Sequence, residues 1–211
     1  TDAALAAGAC LHITRCVLSS PTPLLGLALV RPPGHHAARG RPAAPSGFCY
    51  INNVAVATAA AMRAGGVGRV AILDIDVHVG DGTASTFAAD PAVLVLDVHE
   101  AGIWPGGGGV GETGEGEGVG ATINVPLPRG TTSAEYLAAF DAHVTPNVRR
   151  FAPDLIIIST GFDAAMGDSP AHPDGYLQLD PNAFGDITTR LVDLADECCE
   201  GRLVSLFEGG Y

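Results

Sequence analysis

The stretch Val70–Gly82, reading Val-Ala-Ile-Leu-Asp-Ile-Asp-Val-His-Val-Gly-Asp-Gly, constrains the fold more than any other part of the chain. Val70, Ala71, Ile72, Leu73 and Ile75 form the near-continuous apolar run of a parallel strand covered on both faces. Asp74, Asp76 and His78 then interrupt the run at alternate positions. Residues two apart in extended chain point to the same side, so two carboxylates and an imidazole converge at the strand's carboxyl end. Buried carboxylates are costly unless they are paired or bind a metal. One Asp capping a loop beside a surface His is the plain alternative; a metal site is the reading adopted.

Other apolar segments repeat the pattern at Leu25–Val30, Val93–Val98, Leu155–Ser159 and Leu203–Phe207, with a weaker β signal near Ile123–Val125. Helical segments separate them. Thr1–Ser20 is helical in pattern, and Asn53–Ala64 is an Ala-rich helix ended by Gly65-Gly66. Thr132 and Glu135 form a capping-box pair for a helix running towards Arg150, kinked at Pro146. Asp180 caps a helix with Pro181 at its first position, running to Glu200. This alternation predicts an α/β fold in three layers, a mostly parallel sheet with helices on both faces. At 211 residues the chain is expected to be a single domain.

Ligands of such sheets bind outside the carboxyl ends of the strands. Five strand ends here lead into Arg31-Pro32-Pro33-Gly34-His35-His36, Asp76 with His78, His99, Gly161-Phe162-Asp163, and Glu208-Gly209-Gly210-Tyr211. Asp76 and His78 supply one oxygen and one nitrogen, and Asp163 is the candidate third ligand. Three protein ligands with an open fourth position is the catalytic zinc arrangement. No cysteine lies near these motifs in the sequence, which argues against structural zinc. Two histidines after a Pro-Pro-Gly turn suggest general acid–base work, with Asp74 and Asp81 left over to orient them. Tyr211, after two glycines, could donate to a developing oxyanion. Phe48 and Trp104 could wall an apolar channel. The glycine-rich segment 106–120 carries Glu112, Glu115 and Glu117 and no lysine, so it reads as a mobile rim loop rather than a phosphate cradle or an EF-hand.

Composition narrows the class. The chain is 47% hydrophobic and 16% charged, which suits a packed core, and no apolar run reaches the roughly 18 residues of a membrane span. Thr1–Ser20 lacks the basic start of a signal peptide. Cysteines 10, 16, 49, 198 and 199 have no disulfide or metal spacing, so free thiols in a reducing cytoplasm are expected. The net charge of −12 argues against nucleic acid and suits a cationic substrate.

Together these motifs resemble the zinc-dependent histone deacetylase family, in the group that includes bacterial deacetylase-like amidohydrolases and acetylpolyamine amidohydrolases. The resemblance runs from about Leu27 to Tyr211 and rests on Arg31–Ala37, Gly47-Phe48-Cys49 with Asn52-Asn53, Leu73–Thr83, Gly161–Ala164 and Glu208–Tyr211. It implies that Asp76, His78 and Asp163 bind zinc, and that His35 and His36 are the tandem histidines, the second being the base. It implies that Asp74 partners the first, Asp81 the second, that Tyr211 is the transition-state tyrosine, and that Phe48 and Trp104 flank the acyl-lysine tunnel. A monovalent cation, potassium, is implied on oxygens of Asp74, Asp76, His78, Asp97 and Val98, with a second around Phe87, Asp90 and Val93. The implied substrate is an acetylated amine, acetyl-lysine or an acetylpolyamine. The chain departs from the family pattern at Val79, usually His, at Asp97, more often Ser, and in a longer loop at Asp168–Tyr176. It also looks short at both ends, so weak or absent activity and a poorly restrained Tyr211 are expected. The rival readings are an arginase-like binuclear metal hydrolase, for which no second Asp follows Asp163 within four residues, and a chain that binds acyl groups or a partner without turnover.

Overall fold

The computed structural model describes residues 1–40, 46–168 and 176–211. Its centre is a six-stranded sheet in the order β1-β6-β5-β2-β3-β4, with every neighbouring pair parallel. The strands are β1 Leu25–Ala28, β2 Val70–Asp74, β3 Val93–Glu100, β4 Thr122–Leu127, β5 Leu155–Thr160 and β6 Leu203–Phe207. The helices are α1 Asp2–Ser19, α2 Asn53–Arg63, α3 Asp81–Phe87, α4 Ser133–Ala139, α5 Thr145–Phe151 and α6 Pro181–Cys199.

Every residue of β2, β3 and β5 is buried, as expected of central strands covered on both faces. Their side chains divide between two cores. Val70, Ile72, Val93 and Val95 pack with Cys10 and Val17 of α1 and Val54 and Ala57 of α2. Ala71, Leu73, Leu94 and Leu96 pack with Tyr136 of α4, Val148 of α5 and Ile187 and Leu191 of α6. The result is the three-layer α/β fold read from the sequence.

The helix ends follow from local chemistry. Asn52 Oδ1 accepts from Ala55 N at 2.8 Å to start α2, and Asp180 Oδ1 accepts from Asn182 N at 2.7 Å to start α6. Thr132 and Glu135 make the reciprocal capping box that starts α4. The helical path leading from it runs unbroken to Phe151, with its irregularity just before Pro146 rather than at it. A π-turn over Phe140–Val144 lies between α4 and α5, and Pro146 follows it directly, so the ladder is loosened where the proline N–H is missing. β1 stops at Ala28, two residues before the expected end, and β4 is a full edge strand rather than a short β segment.

Segment 106–120 differs from the mobile loop expected. Glu115 N donates to Ala88 O at 2.6 Å, Gly120 N to Thr113 O at 2.7 Å, and Asn124 Nδ2 to Glu112 O at 3.0 Å, while Gly116–Gly118 form a 3₁₀ turn. The glycines allow a tight hydrogen-bonded path. Of the Asp168–Tyr176 loop, residues 169–175 lie outside the described residues. Among the described residues, no helix is long and apolar enough to cross a membrane.

β2 and β5 are neighbours whose chains continue to opposite sides, β2 towards β3 and β4, β5 towards β6. This is the sheet's switch point, where a crevice opens at the carboxyl edge. Asp76 and His78 leave β2 there, and Asp163 leaves β5.

Candidate active site

At the crevice, His78 Nδ1 faces two carboxylates, 3.1 Å from Asp76 Oδ1 and 3.2 Å from Asp163 Oδ2. One ligand atom from each of the three residues fits within a 4.8 Å cluster. Asp163 Oδ1 accepts from Val77 N at 3.0 Å, but Oδ2 is buried without a hydrogen-bond partner, because its contact with His78 lacks bonding geometry. A tetrahedral centre with bonds of about 2.0–2.1 Å sets its donor atoms roughly 3.3–3.4 Å apart, so these separations suit a zinc-sized ion. The oxygen–nitrogen–oxygen donor set suits it too. Glycines make room for the cradle. A Cβ on Gly209 would lie 2.4 Å from both Asp76 Oδ2 and Asp163 Oδ2, and one on Gly161 would lie 2.3 Å from Asp76 Oδ2. Gly209 N instead donates to Asp76 Oδ2 at 2.8 Å.

The tandem histidines stand beside this cradle with their rings 4.0 Å apart. His35 Nδ1 is 3.0 Å from Asp74 Oδ2 and its Nε2 is 3.8 Å from Asp76 Oδ2. Burial alone would lower its pKa, but Asp74 and Asp76 outweigh burial and hold it well above the ordinary histidine value. His36 Nδ1 lies 2.8 Å from Asp81 Oδ1. Burial, then the charge of His35, pushes the His36 pKa below the ordinary value, with Asp81 pulling the other way. Two adjacent imidazoles are thus driven apart, one towards the cation and one towards the neutral base. Burial and the nearby Asp76 raise Asp163 to about 6, against the pull of His78. Burial would lower His78, but the facing carboxylates of Asp163 and Asp76 raise it to about 9.

The Pro-Pro-Gly turn that carries the histidines is clamped from the far strand. Glu208 is fully buried at the end of β6, and its Oε2 accepts from Gly34 N at 2.6 Å and His35 N at 3.0 Å. No role for Glu208 was read from the sequence; a glutamate directly after a buried strand was the available signal. Cys49 also corrects an expectation. The Gly47–Cys49 turn folds back so that Cys49 Sγ clusters with His35 and Glu208. Burial pushes that thiol up to about 12, and both its neighbours are engaged elsewhere, so the trio is not a ligand set.

A cleft of about 1010 Å³ opens over the cradle, and Phe48, Trp104, Tyr176 and Tyr211 line it with the histidines. Phe48 holds a positive φ of 66°, a conformation costing roughly 1–3 kcal/mol for a non-glycine residue, and the residue is 66% exposed. Gly47 before it, φ 52°, has no room for a Cβ, which would meet His36 Cδ2 at 2.4 Å. Trp104 packs edge-on against His36 at 4.7 Å and His78 at 6.1 Å between ring centroids. Tyr211 also lines the cleft. Its N–H donates to Asp168 Oδ2 at 2.8 Å, and the Arg31 guanidinium lies 5.1 Å from its ring centroid. Burial, then Asp76 and Asp163, pushes its phenol up to about 12. The sequence named Arg31 only as part of the Arg31–Ala37 motif and Asp168 only as the start of a loop, with no role for either.

Beneath the site, Asp74 and Asp97 are register partners on β2 and β3, and Val98 is buried next to Asp97. Asp74 Oδ1 accepts from Asp76 N at 3.1 Å. Asp97 accepts from Gly80 N at 2.8 Å and faces His99 Nδ1 at 2.7 Å.

The histone deacetylase domain model matches residues 1–211. The chain is 42% identical over 211 residues to histone deacetylase 10, chloroplastic, of Oryza sativa subsp. japonica, covering 98% of this chain and 46% of that protein. It is 42% identical over 215 residues to polyamine deacetylase HDAC10 of Homo sapiens, covering 99% of this chain and 30% of that protein. Among solved structures, it matches the HDA15 HD domain with TM-score 0.87 and 38% identity over the whole chain and 56% of that structure. It matches an acetylpolyamine aminohydrolase from Burkholderia pseudomallei with TM-score 0.83 and 34% identity, covering 98% of this chain and 56% of that one. The chain spans about half the length of most of these relatives. By the match along its whole length, the chain belongs to the histone deacetylase domain family.

Proposed function

We propose that residues 1–211 act as one catalytic unit of a zinc-dependent deacetylase that hydrolyses the acetyl amide of acetyl-lysine or an acetylated polyamine to acetate and a free amine. The observation that carries this is the buried, unpartnered Asp163 Oδ2 beside His78 Nδ1, next to a histidine whose pKa is lowered. Zinc held by Asp76, His78 and Asp163 would supply Lewis acidity to the acyl oxygen and to the attacking water.

The chain's own groups do the rest. A carboxylate only accepts, so His36 Nδ1–H donates to Asp81 Oδ1, and the Nε2 lone pair is left for the cleft. That nitrogen removes a proton from the attacking water and afterwards returns it to the departing amine. His35, held charged by Asp74 and Asp76, keeps His36 neutral and adds positive potential at the developing oxyanion. Tyr211, kept protonated by its raised pKa, donates a hydrogen bond to the same oxygen. Phe48 and Trp104 flank the alkyl chain of the substrate.

Potassium on oxygens of Asp74, Asp97 and Val98 is part of the same proposal, offsetting the carboxylates stacked beneath the zinc ligands. A cytoplasmic location fits five unpaired cysteines. The names of the human and Burkholderia relatives favour a polyamine, those of the plant relatives a protein lysine.

The test is zinc titration followed by assays on an acetyl-lysine peptide and an N-acetylated polyamine. Asp163→Asn should abolish both stoichiometric zinc binding and hydrolysis. Zinc retained at full affinity in that variant would remove Asp163 from the ligand set.

A further inference from the structure

A second cavity, of about 350 Å³, lies between α3 and the glycine-rich segment 106–120. His36 lines the cleft, its partner Asp81 lines this cavity, and the 2.8 Å contact between them joins the two spaces. The Asp81 side chain is 27% exposed, so its carboxylate is reached without passing His36. Glu112 and Glu115 line the cavity with it, and among the described residues no lysine or arginine does. Asn124, only 8% exposed, stands on the same wall. Its Nδ2 donates to Glu112 O at 3.0 Å and to Gly109 O at 3.4 Å, while Oδ1 is buried without a hydrogen-bond partner. A buried acceptor left unpaired is costly, so this oxygen calls for a donor. The loop that closes the cavity is already in place: Glu115 N is tied to Ala88 O and Gly109 N to Glu112 Oε1.

We infer that this cavity is a second binding site, for a small primary ammonium cation, and that a cation held there draws on the carboxylate that orients His36. An ammonium carries three N–H donors and no acceptor, the complement of a wall of carboxylates and one unpaired amide oxygen. A bare metal ion fits less well. Among the described residues, only two groups bring three metal-type ligand atoms within 4.8 Å of one another, and neither includes these carboxylates. The amine freed by hydrolysis of an acetylated amine is such a cation, so the site lets product slow the enzyme. That consequence rests on the deacetylase reading; the binding itself does not. With Asp81 shared, its hold on His36 loosens and kcat falls, while substrate binding in the cleft is untouched.

The probes are n-butylammonium and tetramethylammonium, titrated calorimetrically into the full-length protein at fixed ionic strength. Both carry one positive charge, and only the first has N–H donors. Tetramethylammonium should bind at least about 10-fold more weakly, the scale of one lost charge-assisted hydrogen bond. Glu112→Gln combined with Glu115→Gln keeps an acceptor for Gly109 N and should weaken butylammonium by roughly the same factor. Ala84→Leu fills the cavity, leaves every carboxylate in place, and should abolish the binding. Asp168→Asn, in the cleft, should leave it unchanged. Equal binding of both cations would reduce the attraction to surface charge and overturn the site. Binding lost in Asp168→Asn but kept in Ala84→Leu would overturn it as well. In turnover of an acetyl-lysine peptide, butylammonium should lower kcat at constant KM, and Ala84→Leu should remove that inhibition. Inhibition that raises KM alone and survives Ala84→Leu places the amine in the cleft and overturns the coupling to Asp81. A protein that binds butylammonium with this variant pattern but hydrolyses no acetyl amide overturns the deacetylase reading and leaves the site standing.

Discussion

At the scale of single residues, the site works through neighbours that push like groups apart. In the proposed mechanism His36 acts only when neutral, and burial together with charged His35 lowers its pKa. Activity is lost as pH falls through that value, so the acid limb of kcat/KM should lie below about 6.5, the ordinary histidine value. Asp81→Asn removes the largest upward pull, with that of Asp76 left in place, and the limb should move to lower pH while kcat falls. A limb that moves up in this variant would exclude His36 as the titrating base. His36→Ala should lower turnover by roughly 10²–10⁴ with zinc still bound, measured by metal analysis beside initial rates. Gly209→Ala is the counterpart for the cradle. Its Cβ would meet two carboxylate oxygens at 2.4 Å, so it should weaken zinc binding with His36 untouched. The candidate ligands were legible because Asp74, Asp76 and His78 break an apolar run with period two. Glu208 and Asp168 were not, because a carboxylate that serves backbone N–H groups from distant loops leaves no periodic trace.

At the scale of elements, the strands and caps were legible where local chemistry decides. The Val/Ile-rich runs became β2, β3 and β5, and Asp180-Pro181 and Thr132/Glu135 start helices where their side chains satisfy free N–H groups. What escaped is what tertiary packing decides. α3 is seven residues of Asp-Gly-Thr-Ala-Ser-Thr-Phe with poor helix formers, held because Thr83 N donates to His35 O at 3.0 Å and Ala84 N to Gly80 O at 3.0 Å. The strand order could not be read either, since register depends on which faces meet. That order places β6 beside β1, and so lets Glu208 reach the turn carrying His35. Glu208→Ala would leave two buried N–H groups unsatisfied, at roughly 1–3 kcal/mol each. Thermal denaturation should show a lower midpoint, and kcat should fall because His35 loses its fixed entry. A stable, fully active Glu208→Ala protein would remove the clamp from the account.

At the scale of the whole molecule, charge is the property that acts over distance. The chain carries 23 acidic and 11 basic residues, a net charge of −12. The cleft adds Asp76, Asp163 and Asp168 to that field, and zinc would offset only part of it. An acetylated polyamine keeps at least one ammonium after acetylation, so the field should raise its rate of encounter, whereas a neutral acetamide feels none of it. Salt separates the two. The Debye length shrinks from about 30 Å at 0.01 M to about 10 Å at 0.1 M, so steering fades while contacts inside the cleft remain. The kcat/KM of the acetylpolyamine should therefore fall several-fold over that range, through KM, with kcat held. The neutral amide, measured beside it, should change little, which excludes a general effect of salt on the fold. If the two substrates respond alike, the acidic surface is only solvated charge, and preference for a cationic amine has to come from contacts within the cleft.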